Sequence, residues 1–410
     1  MVSYREIDKC RVGGSPHLVS VLNLGMQALT GVFPKSREEP VGEGPLELVW
    51  SPDSGLLQLR HSFQPEEMYG ENYGYRSGLN QSMVDHLNHK VRQLERLVEL
   101  KAGDTVLDIG SNDCTLLKAY EGLGLTRVGI DPTGSKFASY YPADVKLVPD
   151  FFSSAAYWSA AARPAKVITS IAMFYDLDQP IEFAKEIAAV LAEDGIWHFE
   201  QSYMPSMLRL NSYDTICHEH LEYYSLRVVE RILAAAGLVI VDVTMNNVNG
   251  GSFAVTAAKP GKRVPNHAVI DWMLGQEDRM GLDTPKPFRD FEERVFRHRD
   301  DLSRLIRSLT GDGKKVLGYG ASTKGNVVLQ FCGFGPDDIP AIAEVNTEKF
   351  GRVTPGSHIP IISEQEAKAM RPDYFLVLPW HFKDGILRRE KEFLAAGGKF
   401  IFPFPEIEIV

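Results

Sequence analysis

The sequence predicts an α/β protein built on two parallel sheets, and three observations carry that expectation. Short apolar runs alternate with helical periodicity between residues 105 and 199. A β-rich pair joined by the turn NNVNGGS follows at 238–257. A second strand-and-glycine-turn pattern starts at Lys315. Strands alternating with helices need crossover connections, and these make the strands parallel. A chain of 410 residues with 44% apolar residues is long enough to bury large cores in several domains.

In order, residues 1–75 read as short strands (LVSVLNLG, LELVWS, GLLQLRHSF) between Gly, Pro and Ser turns. Met83, Val84, Leu87, Val91, Leu94, Leu97 and Val98 then recur at helical spacing, which predicts an amphipathic helix ending near Lys101. Strands are expected at 105–109, 127–130, 145–148, 166–170 and 196–199. Pro180 opens a helix that Gly195 is expected to stop, and Ser225 caps one running to Ala236. The runs 238–243 and 253–257 suggest an antiparallel edge. Residues 262–286 form a mixed connection and 288–309 a charged amphipathic helix, before VLGYGAS, IPAIAEVN, HIPIIS, YFLVLPW and KFIFPFP supply the second sheet. The expected organisation is a small module (1–75), a core (76–260), a helical connection (261–310) and a Rossmann-like C-terminal domain (311–410).

Lys and Arg total 44 against 54 Asp and Glu, a net charge of −10, which argues against a nucleic-acid partner. No apolar run is long enough to span a bilayer, and the charged N-terminus is not a secretory signal. The cysteines, Cys10, Cys114, Cys217 and Cys332, are too scattered for a disulfide framework and suit a reducing cytoplasm.

Chemistry concentrates in four places. In Val106-Leu107-Asp108-Ile109-Gly110-Ser111-Asn112 a strand delivers an acid into a glycine turn that opens a helix. Asp131 ends the next strand, where a carboxylate can accept two ribose hydroxyls. The dinucleotide pattern GxGxxG is absent, and one glycine with two acids fits S-adenosylmethionine better than a pyrophosphate. Asp108, Gly110, Asn112 and Asp131 are therefore the expected cofactor contacts, with Asp150 and Phe151 near an adenine; Phe151-Phe152 packed in a core is the plain alternative. The antiparallel pair at 238–257 fits the strand order of class I methyltransferases.

Histidines, carboxylates and tyrosines crowd Tyr213 to Tyr224 (YDTICHEHLEYY). A metal site, a structural network and acid–base work are all open to such a cluster, and acid–base chemistry suits it best because histidine exchanges protons near neutral pH. The loop Tyr69 to Gly78, with Tyr73, Tyr75 and Arg76, offers phenol and guanidinium donors to a sugar or phosphate. Gly318 to Asn326 (GYGASTKGN) reads as a nucleotide-cradling turn or as a Rossmann turn used only in packing.

With LGMQALTGVFP, LDIGSNDC, FEQSYMPSML, SYDTICHEHLEYYS, NGGSF, GYGASTKGN and TPGSHIPI in this order, the chain resembles the bacterial nucleotide-sugar C-methyltransferases over nearly its full length. The resemblance implies a zinc-binding N-terminal module, a class I methyltransferase core and a Rossmann-like C-terminal domain. It also implies an S-adenosylmethionine-dependent transfer of methyl to carbon, with a nucleotide-linked 4-keto deoxysugar as the small-molecule acceptor. His220 is then the expected base, Glu219 the group that orients it, and His218, Tyr75 or Tyr224 the donor to an enolate oxygen. Tyr73, Arg76, Asp176, Tyr203, Asn249 and Lys324 are the expected substrate contacts. A family histidine falls at Asp176 and a family tyrosine at Cys217. The module departs more sharply. Two family CxxC pairs read here Cys10-Arg-Val-Gly13 and Ser51-Pro-Asp-Ser54, so no structural zinc is expected. Methyl transfer to oxygen or nitrogen, or sugar-nucleotide binding without turnover, are the competing readings.

Overall fold

The computed structural model describes residues 4–64, Met68 and 75–410. At the N-terminus β1 (Tyr4–Glu6) pairs antiparallel with the later β5 (His61–Phe63). Between them β2 (Val19–Ala28), β3 (Glu43–Trp50) and β4 (Leu57–Leu59) form an antiparallel sheet, whose inner residues Leu46, Leu48, Leu57 and Leu59 are fully buried.

The core sheet uses β6 (Thr105–Ile109), β7 (Thr126–Ile130), β8 (Val145–Val148), β9 (Ala165–Ile171), β10 (Leu191–Ser202), β12 (Val239–Asn246) and β13 (Ser252–Ala258). The order is β12-β13-β10-β9-β6-β7-β8, and only β13 runs antiparallel to its neighbours. This is the class I methyltransferase arrangement. The antiparallel pair exists, but β13 is inserted between β12 and β10, leaving β12 as the edge. The remaining strand, β11 (Glu222–Tyr223), leaves the core and adds itself to β4 of the N-terminal sheet.

Helix α1 (Gln81–Leu97) starts at Asn80, whose side chain accepts from the Ser82 amide, and ends short of Lys101 because Val98 is extended. Its buried Leu87, Val91 and Leu94 cover one face of the core sheet beside Val106, Val167 and Ile196; each such side chain contributes roughly 1.5–3 kcal/mol. The opposite face buries Leu107, Ile168, Trp197, Phe199 and Phe253. Gly195 does not stop the preceding helix, which spans Pro180–Val190. It lies inside β10 at a register shift, where a Cβ would sit 2.9 Å from the Ala165 carbonyl oxygen. Close backbone approach explains that glycine.

Residues 267–280 and 286–311 are helices, so the expected mixed connection is largely helical. The C-terminal sheet has the order β16-β15-β14-β17-β18-β19, from β14 (Val316–Tyr319), β15 (Ile342–Glu344), β16 (Ile361–Ser363), β17 (Tyr374–Val377), β18 (Lys399–Phe402) and an antiparallel β19 (Glu408–Ile409). One apolar cluster joins this sheet to the N-terminal one, with Trp50 against Phe288 at 5.0 Å between ring centroids and the Asn326 amide donating to the Thr30 carbonyl at 2.7 Å. Among the described residues no helix is long and apolar enough to cross a membrane.

Candidate active site

A cavity of about 290 Å³ opens where β6, β7, β9 and β10 end, the edge at which parallel sheets bind ligands. Its lining includes Tyr75, Asp108, Gly110, Asn112, Asp131, Phe151, Asp176 and Asn249, all anticipated from sequence. The turn after β6 explains the glycine. Gly110 has φ +71, and a Cβ there would meet the Met173 side chain at 3.2 Å. Asn112 and Cys114 also adopt left-handed φ, so the chain turns tightly and the expected helix is a single turn, Thr115–Lys118.

Asp131 holds this turn from below. Its carboxylate accepts from the Asn112 amide at 2.7 Å and from the amide and hydroxyl of Thr133, each at 2.6 Å. The two carboxylate oxygens offer about four lone-pair sites, so beyond these three bonds Asp131 can still accept from a ligand hydroxyl. Asp108 accepts from the Thr169 hydroxyl at 2.6 Å, and burial pushes its carboxyl up to about 7. Phe151 is 44% exposed at the rim, and the neighbouring Phe152 packs edge-on against Phe183. Asp150 is exposed and is not part of the lining. The glycine cradle, the acid at the end of β7 and the aromatic rim fit S-adenosylmethionine.

Sequence reasoning missed Glu200 and Gln201, which end β10 and line the cavity. Glu200 accepts from Lys90 Nζ at 2.7 Å and Asn246 Nδ2 at 2.8 Å, and bonds His86 Nε2 at 2.6 Å. Burial pushes its carboxyl up, but His86 and Lys90 outweigh burial and hold it at about 2. Among the described residues, both amide atoms of the buried Gln201 lack a hydrogen-bond partner. The signal for both was available, because they occupy the C-terminal end of a predicted parallel strand.

The crowded segment 213–224 is mostly turn, and its residues part company. His220 does not line the main cavity. It sits behind it, packed edge-on against Tyr175 at 4.3 Å, and borders a small pocket with Thr215, Ser202, Glu222 and Tyr223. Its Nδ1 lies 2.7 Å from the Thr215 carbonyl oxygen. A carbonyl only accepts, so Nδ1 carries the proton. Burial, helped by the Lys324 charge, pushes the imidazole down to about 4; the ring is neutral at physiological pH, and among the described residues its Nε2 has no hydrogen-bond partner. Glu219 does not orient it. No hydrogen bond joins the two among the described residues, and Glu219 instead abuts Gly31, where a Cβ would come within 2.7 Å of Oε1. Burial raises its carboxyl, so it is a poor source of negative charge.

His218 and Tyr224 are already engaged elsewhere. The His218 Nε2 faces the Gly44 carbonyl at 3.1 Å with Phe63 against its ring, and the Tyr224 hydroxyl donates to Glu222 while its ring stacks on Phe174. Of the expected substrate contacts, Asp176 and Asn249 line the cavity and Tyr73 lies outside the described residues. Arg76 covers the Tyr140 ring and pairs loosely with Asp113 at 3.8 Å. The Tyr203 hydroxyl donates to Glu277 at 2.7 Å, away from the lining. Lys324 arrives from the helix Thr323–Phe331 of the C-terminal domain and donates to the Asn249 carbonyl at 2.7 Å, beside Asp214 and His220. The surrounding turn is tightly packed, since a Cβ at Gly325 would meet Leu378 at 2.6 Å.

Residues 10–69 match the family described as a putative zinc binding domain, 84–243 a methyltransferase domain and 247–405 a C-methyltransferase C-terminal domain. The chain is 33% identical to the C-methyltransferase NovU of Streptomyces niveus over 99% of this chain and 97% of NovU. Among solved structures, a putative methyltransferase from a Haloferax volcanii complex with its activator aligns over 45% of this chain and 94% of that chain, with TM-score 0.37 and 15% identity. The N-methyltransferase NodS of Bradyrhizobium japonicum aligns over 43% and 95%, with TM-score 0.31 and 13% identity.

The zinc that the first match implies does not fit these residues. The corresponding positions carry Cys10, Gly13, Ser51 and Ser54, and the Cys10 sulfur lies 3.0 Å from the Ser54 hydroxyl oxygen. Among the described residues no group of three or more His, Cys, Asp or Glu is placed to hold a metal ion. The core sheet, the cavity at its edge and the full-length likeness to NovU nonetheless agree with one another: the chain is an S-adenosylmethionine-dependent methyltransferase and belongs to the C-methyltransferase family.

Proposed function

We propose that this enzyme methylates a nucleotide-linked 4-keto deoxysugar at the carbon beside the ketone, through an enolate. S-adenosylmethionine supplies a sulfonium-bound methyl when bound. The observation that carries the reading is the state of His220. It is neutral, its tautomer is fixed by the Thr215 carbonyl, and Nε2 is available as a base. Oxygen or nitrogen acceptors with free lone pairs have less need of such a base, whereas a carbon acid requires one.

In this reading Gly110 and Asp131 hold the cofactor, and Asp108 lies beneath it. The acceptor enters along Asp176 and Asn249, and Tyr175 moves aside so that Nε2 takes the carbon-bound proton. Tyr75, at the mouth of the cavity, donates to the developing enolate oxygen. Lys324 positions Asn249 through its carbonyl. The shared likeness to NovU supports methyl transfer to carbon, and the sugar is our inference.

The test is deuterium wash-in at the acceptor carbon without cofactor. The parent protein is expected to exchange the proton, and His220→Asn to lose at least about 10²-fold in both exchange and methyl transfer while cofactor affinity stays level. Exchange at the parent rate in His220→Asn would remove His220 as the base.

A further inference from the structure

We propose that the N-terminal module folds without a metal, that Arg11 takes over its fastening, and that through Asp178 this residue also fixes one wall of the cavity. Arg11 stands within the first degenerate knuckle, between Cys10 and Gly13. Both knuckle turns persist. The Gly14 amide donates to the Cys10 carbonyl at 2.8 Å, and the Gly55 amide to the Ser51 carbonyl at 2.8 Å. The space between them is closed. A zinc–sulfur bond of about 2.3 Å puts two ligands of a tetrahedron roughly 3.7 Å apart, but Cys10 Sγ and Ser54 Oγ are 3.0 Å apart. A Cβ at Gly13 would come within 3.2 Å of Ser54 Cβ.

The Arg11 guanidinium is 2% exposed and uses its whole fork. Nη1 donates to the Leu59 carbonyl at 2.7 Å and to Gln58 Oε1 at 3.2 Å. Nη2 donates to the Ser62 hydroxyl at 2.8 Å and to the His61 carbonyl at 3.4 Å. These contacts tie the knuckle to β4 and β5, as bound metal would tie it to a second knuckle. The remaining donor, Nε, reaches Asp178 at 3.3 Å. Asp178 belongs to the core, lines the cavity beside Asp176 and Leu177, and also receives Arg5 at 2.7 Å and the Ser62 hydroxyl at 2.5 Å. Burial pushes its carboxyl up, but Ser62, Arg11 and Arg5 outweigh burial and keep it ionised. Arg11 is thus a positioning residue. It touches no reacting atom and holds the segment 174–178, whose Asp176, Leu177 and Asp178 line the cavity.

The test uses the purified full chain. Elemental analysis is expected to find no stoichiometric zinc, and the melting temperature to be the same with and without a chelator. Arg11→Met is expected to melt several degrees lower and to speed amide hydrogen exchange in residues 174–178 by roughly tenfold or more, with the turn at 110–115 unchanged. Arg11→Lys should recover part of the melting loss but little of the exchange protection, because an ammonium lacks the fork. Asp178→Asn leaves the module intact and should reproduce the faster exchange alone, which keeps the test open if Arg11→Met does not fold. One further arm rests on the proposed acceptor: with a nucleoside-diphosphate 4-keto-6-deoxyhexose, Asp178→Asn should raise KM more than it lowers kcat. Stoichiometric zinc whose removal lowers the melting temperature would overturn the metal-free module. Exchange at 174–178 left at the parent rate in Arg11→Lys and Asp178→Asn would overturn the coupling to the cavity. Neither outcome depends on the sugar.

Discussion

Asp108 shows how much one buried carboxyl can ask of a fold. Burial raises it to about 7 from an ordinary value of 3.8. Its neutral form is favoured in the native state and its ionised form in the unfolded chain. The folded protein therefore binds the extra proton, and this residue's cost to stability grows as pH rises from about 4 to about 7, then levels off. A tenfold change in proton affinity is worth about 1.4 kcal/mol, so the full cost is on the order of 4 kcal/mol. Asp108→Asn is expected to raise the melting temperature of the unliganded protein, more at pH 8 than at pH 5, while weakening cofactor binding. Thermal melts at both values check the sign, and an equal gain at each would place Asp108 in water. The sequence identified Asp108, Gly110 and Asp131 because their types and spacing are local. It could not show that Asp131 accepts from Asn112 across the turn after β6, or that Glu219 faces Gly31 rather than its neighbour His220, because those directions are set by tertiary packing.

At the scale of elements, the predicted core strands 105–109, 127–130, 145–148 and 166–170 lie within a residue or two of those observed, since buried parallel strands leave short apolar runs. The misses are non-local. β11 is two residues long and pairs with a strand far earlier in the chain, which no periodicity reveals. That pairing pulls the histidine segment between the core and the N-terminal sheet, which separates His218 from His220. The segment Gly318–Asn326 is the reverse case: it looked like a nucleotide cradle, and the structure uses Lys324, in the first turn of the helix Thr323–Phe331, to reach the core. Burial first, then the Lys324 charge, lowers His220. Removing that charge in Lys324→Met is expected to raise the His220 value above about 4, so the acidic limb of kcat/KM moves to higher pH. Glu219→Gln should leave the limb in place, because its carboxyl faces Gly31 and, among the described residues, makes no hydrogen bond to His220. A pH–rate profile that moves for Glu219→Gln and not for Lys324→Met would reverse those assignments.

Across the whole molecule, residues from the N-terminal and C-terminal parts brace the main cavity of the core. The core supplies its floor, Arg11 from the turn before β2 braces Asp178, and Lys324 from the helix Thr323–Phe331 braces Asn249. Such bracing suits the proposed reaction at carbon, because base, oxyanion donor and methyl donor must be held in register for an enolate to be methylated. The most direct test of that claim is to supply the purified protein with methyl-labelled S-adenosylmethionine and a panel of nucleoside-diphosphate 4-keto-6-deoxyhexoses, and to locate the label in the product by mass spectrometry and NMR. The account predicts a new carbon–carbon bond at the position beside the ketone. Label on oxygen or nitrogen, or no transfer to any keto sugar by a protein that binds the cofactor, would contradict it.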